Sequence, residues 1–166
     1  MSDGPAIRDA RPGDLAAVVA IYNATIPTRL ATADLDPVPV TGRESWFDAH
    51  DPGRRPLWVA EADGAVVGWL SLEDFHERPA YGATAEVSVY VAEAARGRGV
   101  GRALLGHLLE RAPGLGVERL VALVFAHNAP SLGLFASVGF ERWGELPGVA
   151  VLDGVRRSVA IVGRAV

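Results

Sequence analysis

Apolar positions along the chain fall into short periodic segments punctuated by Gly and Pro, and each period predicts an element. Residues 6–9 read as a first short strand, and 15–24 as a helix with Asp14 placed to cap its exposed N–H groups. Thr41 and Glu44 stand at capping-box spacing and predict a second helix through Trp46 and Phe47. Residues 57–62 and 65–72 are strand-like runs joined at Asp63-Gly64, a dipeptide that tolerates the positive φ angles of a tight hairpin turn. In 85–91, Val87, Val89 and Val91 alternate with Glu86, Ser88 and Tyr90, which predicts a strand with one core face and one polar face.

Residues 100–111 carry Val100, Leu104 and Leu108 on one helical stripe with Leu105 and Leu109 beside it, ended by Pro113-Gly114. Then come a nearly all-apolar strand at 120–125, a short helix at 130–137 and a strand from Phe140 onward. Residues 149–152 and 155–162 predict a last hairpin about Asp153-Gly154. The order is mixed α/β with hairpins at both ends, unlike the strict βαβ alternation of a doubly wound fold. No repeat interrupts it, and 166 residues need only one core.

Charge and composition narrow the chemistry. A net charge of −4 argues against general nucleic-acid binding. All 16 basic residues are Arg, which excludes a Schiff-base lysine and the lysine of a Walker-type phosphate loop. Without cysteine there is no disulfide, no thiolate nucleophile and no cysteine-ligated metal. No apolar run approaches the roughly 18 residues of a membrane span, and residues 1–12 are polar, so a cytoplasmic protein without membrane contact is expected. His50, His76, His107 and His127 show no ligand spacing, so no metal is expected. Trp46, Trp58, Trp69 and Trp143 sit in apolar or amphipathic settings and read as core, pocket wall or interface.

The turn Arg96-Gly97-Arg98-Gly99-Val100-Gly101 lies between a strand and a helix, where glycines let backbone N–H groups converge on an anion at the positive end of the helix dipole. A dinucleotide fingerprint would need a third glycine where Arg102 stands. Arg96, Arg98 and Arg102 favour a pyrophosphate plus a further phosphate, the pattern of coenzyme A. The plainer alternative is a glycine-rich helix start with solvated arginines.

Arg96-x-x-Gly99-x-Gly101, following Ala-Glu-Val-Ser-Val-Tyr-Val at 85–91, resembles the acetyl-CoA motif of the GNAT N-acetyltransferase superfamily. Asn128-x-x-Ser131 with Leu134 and Gly139-Phe140 resembles its second cofactor segment. Ile21-Tyr22-Asn23, the Arg78-x-Ala80-Tyr81 loop and Glu86 are most similar to the phosphinothricin N-acetyltransferase group. The resemblance implies one α/β domain over residues 1–166, a mixed and mostly antiparallel sheet flanked by helices, and a homodimer. It implies transfer of an acetyl group from acetyl-CoA, as cosubstrate, to a primary amine on a small amino-acid-like molecule of the phosphinothricin or methionine sulfoximine or sulfone type.

Carried over by position, the backbone of Val89, Tyr90 and Val91 pairs with the pantetheine arm like an added strand. Arg96, Gly97, Arg98, Gly99, Val100, Gly101 and Arg102 then hold the pyrophosphate. Asn128 contacts the pantetheine side and Ser131 lies near the phosphates, although Asn128 before Ala129-Pro130 also suits a helix N-cap. With no cysteine to carry an acetyl group, direct attack by the amine is expected. An amine of pKa near ~10 is neutral about once in a thousand at pH 7, a handicap of roughly 4 kcal/mol, so a nearby base helps. Glu86, opposite the valines on its strand, is the candidate, and partial burial would raise its pKa. Arg78 and Tyr81 resemble substrate-loop residues, where a guanidinium takes a carboxylate.

Three departures bear on the substrate: Phe135 where the group has histidine and many relatives tyrosine, Ala33 in place of an aromatic residue, and Arg156-Arg157-Ser158 in place of a more aromatic and acidic stretch. Acetylation of a peptide amine or polyamine, and a non-catalytic acyl-CoA sensor, are the alternatives.

Overall fold

Period-two runs of apolar residues pair into a sheet, and period-3.6 runs lie across it. The computed structural model describes residues 4–166. In chain order the elements are β1 (Ala6–Asp9), α1 (Leu15–Thr25), α2 (Glu44–Asp48), β2 (Leu57–Ala62), β3 (Ala65–Asp74), β4 (Thr84–Val91), α3 (Val100–Arg111), β5 (Arg119–Phe125), α4 (Ala129–Ser137), β6 (Glu141–Leu152) and β7 (Val155–Ala165). The described residues form a seven-stranded sheet in the order β1-β2-β3-β4-β5-β7-β6. Every neighbouring pair is antiparallel except β4 and β5. The β2–β3 hairpin turns at Asp63 and Gly64, with φ of 52° and 77°, as the dipeptide predicts.

Both sheet faces are packed around β4. On one face the stripe of α3, with Leu104, Leu105 and Leu108 fully buried, meets Leu70, Leu72, Val87, Leu120 and Ala122. Each such leucine contributes about 1.5–3 kcal/mol of burial. On the other, Val18, Ile21, Tyr22 and Ile26 of the first helical region meet Leu57, Val59 and Trp69, with Tyr90 packed against them. The face of β4 expected to be polar therefore also carries an aromatic core, because β3 places Trp69 opposite Tyr90 and the two rings stack.

Three local expectations are corrected. Asp14 does not cap α1: its carboxylate takes two hydrogen bonds from the Arg8 guanidinium (2.7 and 3.0 Å) and one from the Arg11 N–H (2.7 Å), closing the 3-10 turn before the helix. The better donors lay upstream. Thr41 makes no capping box, because residues 40–43 wind as a 3-10 turn and α2 begins at Glu44 without a side-chain cap. The strand from Phe140 and the segment 149–152 are one strand, β6, which passes Pro147-Gly148 through an irregularity between Leu146 and Ala150.

The feature that positions the site lies at the sheet's centre. β4 and β5 pair at only three rungs, Thr84 with Arg119, Ala85 with Leu120 and Glu86 with Val121, and then part. Beyond Glu86, the backbone groups of β4 that face away from β3 have no strand beside them.

Candidate active site

Where β4 and β5 part, a groove of about 380 Å³ opens. Val89, Tyr90 and Val91 line it from β4; Arg96, Gly97, Gly99, Val100, Gly101 and Arg102 from the glycine turn and the start of α3; and Asn128, Ser131 and Leu134 from α4 and its cap. The sequence reading thus converges on one place. Arg98 alone of the predicted cofactor residues does not line the groove.

Gly97 and Gly99 take φ of 73° and 79°, the left-handed region that side chains disfavour. Gly99 stands at the N-cap of α3 without a side-chain cap, so the first-turn N–H groups have no acceptor within the helix. Gly101 lets α4 approach, since a Cβ there would lie 2.8 Å from Leu134 Cδ2. Arg96, Arg98 and Arg102 are exposed and form no ion pair with the described residues. The arrangement fits a phosphorylated ligand with an extended polar arm: N–H donors and guanidinium groups at one end, open strand backbone at the other.

Asn128 is buried, and its side chain caps α4 by accepting from the Ser131 N–H (3.2 Å). Its amide also donates to Ser131 Oγ (3.0 Å) and to the Leu30 carbonyl (3.1 Å). The cap alternative therefore holds in this structure, and the same residue ties α4 to the segment after α1. That segment is held again by Tyr90 Oη donating to the Ala31 carbonyl (3.2 Å) and by a ring nitrogen of His127 bonding the Arg29 carbonyl (2.8 Å). Thr25, Thr28, Leu30 and Ala31 consequently form the groove's other wall. The sequence reading missed them; the polar pair Thr25 and Thr28 after an apolar helix was the available signal.

A second cavity of about 180 Å³ lies on the α1–α2 side of the sheet. Its walls are Tyr22, Trp46, Trp69 and Tyr90, with Arg43, Ser71, Glu73 and Ser88 as polar members. Tyr90 belongs to both openings. Burial pushes its phenol up, so at neutral pH it stays a neutral hydrogen-bond donor. Arg43, Ser71 and Glu73 were not singled out in the sequence. For Ser71 and Glu73 the signal is the β3–β4 register, which pairs Trp69 with Tyr90, Ser71 with Ser88 and Glu73 with Glu86 on one face, while Arg43 comes from the 3-10 turn before α2.

Glu86 is half-buried at the last rung joining β4 to β5. Burial, and then repulsion by Glu73 opposite, push its carboxyl above the ordinary carboxylate value. A carboxylate so placed is a proton acceptor suited to working nearer neutral pH. Arg78 and Tyr81 lie on the exposed connection leaving β3 at the Glu73–Glu86 end. Tyr81 packs against Phe75 and His76, and Arg78 projects from the turn with its N–H on His76 Nδ1 (3.1 Å). Phe135 is buried against Phe140 in the core (4.9 Å between centroids), so an apolar residue there leaves no orphaned polar group. Among the described residues no three His, Asp or Glu side chains gather as a metal site, and no helix is long and apolar enough to cross a membrane.

The family model for the acetyltransferase (GNAT) family matches residues 18–140. The chain is 52% identical over 159 residues to a Bacillus subtilis (strain 168) protein named, provisionally, phosphinothricin acetyltransferase YwnH, covering 95% of this chain and 97% of that one. It is 40% identical over 144 residues to the L-methionine sulfoximine/L-methionine sulfone acetyltransferase of Pseudomonas paraeruginosa (strain DSM 24068 / PA7), covering 86% and 84% of the two chains. Among solved structures, a GNAT superfamily phosphinothricin acetyltransferase (Pat) from Sinorhizobium meliloti in complex with AcCoA matches with a TM-score of 0.92 at 28% identity, over 99% of this chain and 89% of that one.

Proposed function

Since the chain belongs to the acetyltransferase (GNAT) family, we propose that it moves an acetyl group from acetyl-CoA directly to the primary amine of a small amino-acid-like substrate. It is an acetyl-CoA-dependent N-acetyltransferase; the substrate, the direct route and the residue roles are our reading. The observation that carries this reading is the parting of β4 from β5 immediately after Glu86, which opens a strand-like groove from Val89 onward on the same strand as that half-buried carboxylate.

In this reading the backbone of Val89, Tyr90 and Val91 receives the pantetheine arm. The turn from Arg96 to Arg102 receives the pyrophosphate on the free N–H groups of α3, with Arg98 adding charge from outside the groove. Asn128 and Ser131 hold α4 and the 29–31 segment about the arm, so their part is to shape the groove as much as to touch the ligand. The thioester carbonyl then lies near the β4 backbone, where an N–H between Val87 and Tyr90 polarises it.

The amine enters from the α1–α2 side. Glu86 takes its proton, directly or through a water, and the nitrogen lone pair bonds to the carbonyl carbon. The attacking nitrogen then gives its second proton to solvent, and as the C–S bond breaks the neutral product amide forms and the thiolate leaves. Phe135 has no proton to give, so solvent protonates the coenzyme A thiolate. Arg78 and Tyr81, at the Glu73–Glu86 end, receive the α-carboxylate of the substrate. A homodimer accompanies the reading, supported by the exposed apolar side chains Trp143, Leu146, Val149 and Val151 on β6.

A thiol-release assay over amino acids, their sulfone, sulfoximine and phosphinic analogues, polyamines and peptides tests the function. Steady release is expected with the oxidised amino-acid analogues. Tight acetyl-CoA binding with no release from any amine would overturn the transferase reading in favour of a sensor.

A further inference from the structure

Ser71 lies in the middle of β3 between Leu70 and Leu72, both fully buried. It is itself 1% exposed, and its hydroxyl meets no hydrogen-bond partner. An unpaired buried hydroxyl costs free energy that an apolar side chain of similar size would not. Ser71 lines the second cavity, so an acceptor entering there would satisfy it.

The same cavity contains a guanidinium with free donors. Arg43 lies over the rings of Tyr22 (4.8 Å) and Trp46 (5.4 Å), which fix its plane. The one carboxylate near it among the described residues, Asp34, stands at 3.7 Å, beyond good hydrogen-bond distance, and already accepts from Tyr22 Oη. Arg43 therefore presents unused N–H groups to a slot walled by aromatic rings.

Polarity runs along the slot. Arg43 is at the Trp69–Tyr90 rung through its stacking on Tyr22 and Trp46, which pack on those rings. Glu73, with Glu86 opposite, is at the other end. Trp69 and Glu73 are four residues apart on β3, about 13 Å at about 3.3 Å per residue before their side chains reach inward. An amino group and its own α-carboxylate are too close together to span this, whereas an amine and a polar side-chain terminus two or three methylenes away can.

Resting on the transferase reading above, we propose that Arg43 and Ser71 form the subsite for side-chain oxygens of the amino-acid substrate. The subsite selects chains ending in S=O, P=O or carboxylate oxygens over parents that lack them. The aromatic walls take the methylenes, and the Glu73–Glu86 end takes the amine. A site built to hydrogen-bond a substrate group discriminates strongly against the analogue without it.

The test is the ratio of kcat/KM for methionine sulfone to that for methionine, measured by thiol release. Arg43→Gln lowers this ratio at least tenfold and Ser71→Ala three- to tenfold, both mainly through the KM for the sulfone. Losses equal on both substrates would mean these residues only support the fold, and would overturn the assignment while leaving acetyl transfer standing. Should Arg43→Gln fail to fold, the Ser71→Ala ratio and calorimetric binding of sulfone against thioether to the wild-type protein decide, and equal affinities reject the subsite. Absence of transfer to any amine by the wild type would remove the transferase reading and the subsite with it.

Discussion

Glu86 gives the most direct single-residue prediction. Its carboxyl is raised by burial and by Glu73, so it becomes a base only as pH climbs through that raised value. The rate with amine substrate should fall on the acid side, and Glu86→Gln should lose at least tenfold in kcat and flatten that limb in a pH–rate profile. An unchanged profile would take Glu86 out of the proton path. Asp14 has the opposite sign. Arg8 holds its carboxyl below the ordinary 3.8, so its stabilisation is complete above that value and lost as pH falls through the lower folded one. Asp14→Asn should cost about 2 kcal/mol in urea unfolding at pH 7 and progressively less as pH falls below 3.8. Glu86 was legible in the sequence because strict alternation put it opposite three valines. Ser71 was not: a lone serine in an apolar strand shows no role until the fold places its unpaired hydroxyl on the second cavity, with Ser88 across the strand from it.

At the scale of elements, one glycine controls how α3 meets the sheet. A Cβ on Gly68 would lie 2.9 Å from Val100 Cγ1 and 3.1 Å from the Tyr90 carbonyl, and neither the branched side chain nor the backbone yields easily. Gly68→Ala should therefore shift the start of α3, destabilise the fold by about 1–3 kcal/mol and raise the KM for acetyl-CoA more than that for amine. Equal KM changes would argue against coupling between this contact and the glycine turn. Elements with strong periods, β2 to β4 and α3, lay where their apolar spacing put them. The α1 and α2 caps and the β6 boundary did not, because they turn on which groups are nearest in space: Arg8 outcompetes a helix N-terminus for Asp14, and pairing with β7 carries β6 past a proline that looks like a stop.

For the whole molecule, helices cover the α1 face of the sheet around β3 and β4, while Leu123 on β5 and Trp143, Leu146, Val149 and Val151 on β6 stay exposed. Such a strip on a chain of this size favours self-association. Light scattering after gel filtration should give twice the 17.5 kDa chain mass at micromolar concentration, and Val149→Arg with Val151→Arg should return it to one. A single-chain mass for the unaltered protein would refute the dimer. The three rungs between β4 and β5 have a mechanical consequence as well. They make a narrow neck between two plates of sheet, and a long slender molecule wedged along the gap would act as a splint across both. Loading with coenzyme A should then slow deuterium uptake at the amides of 87–91 and raise the melting temperature, stiffening the protein as a keystone stiffens an arch.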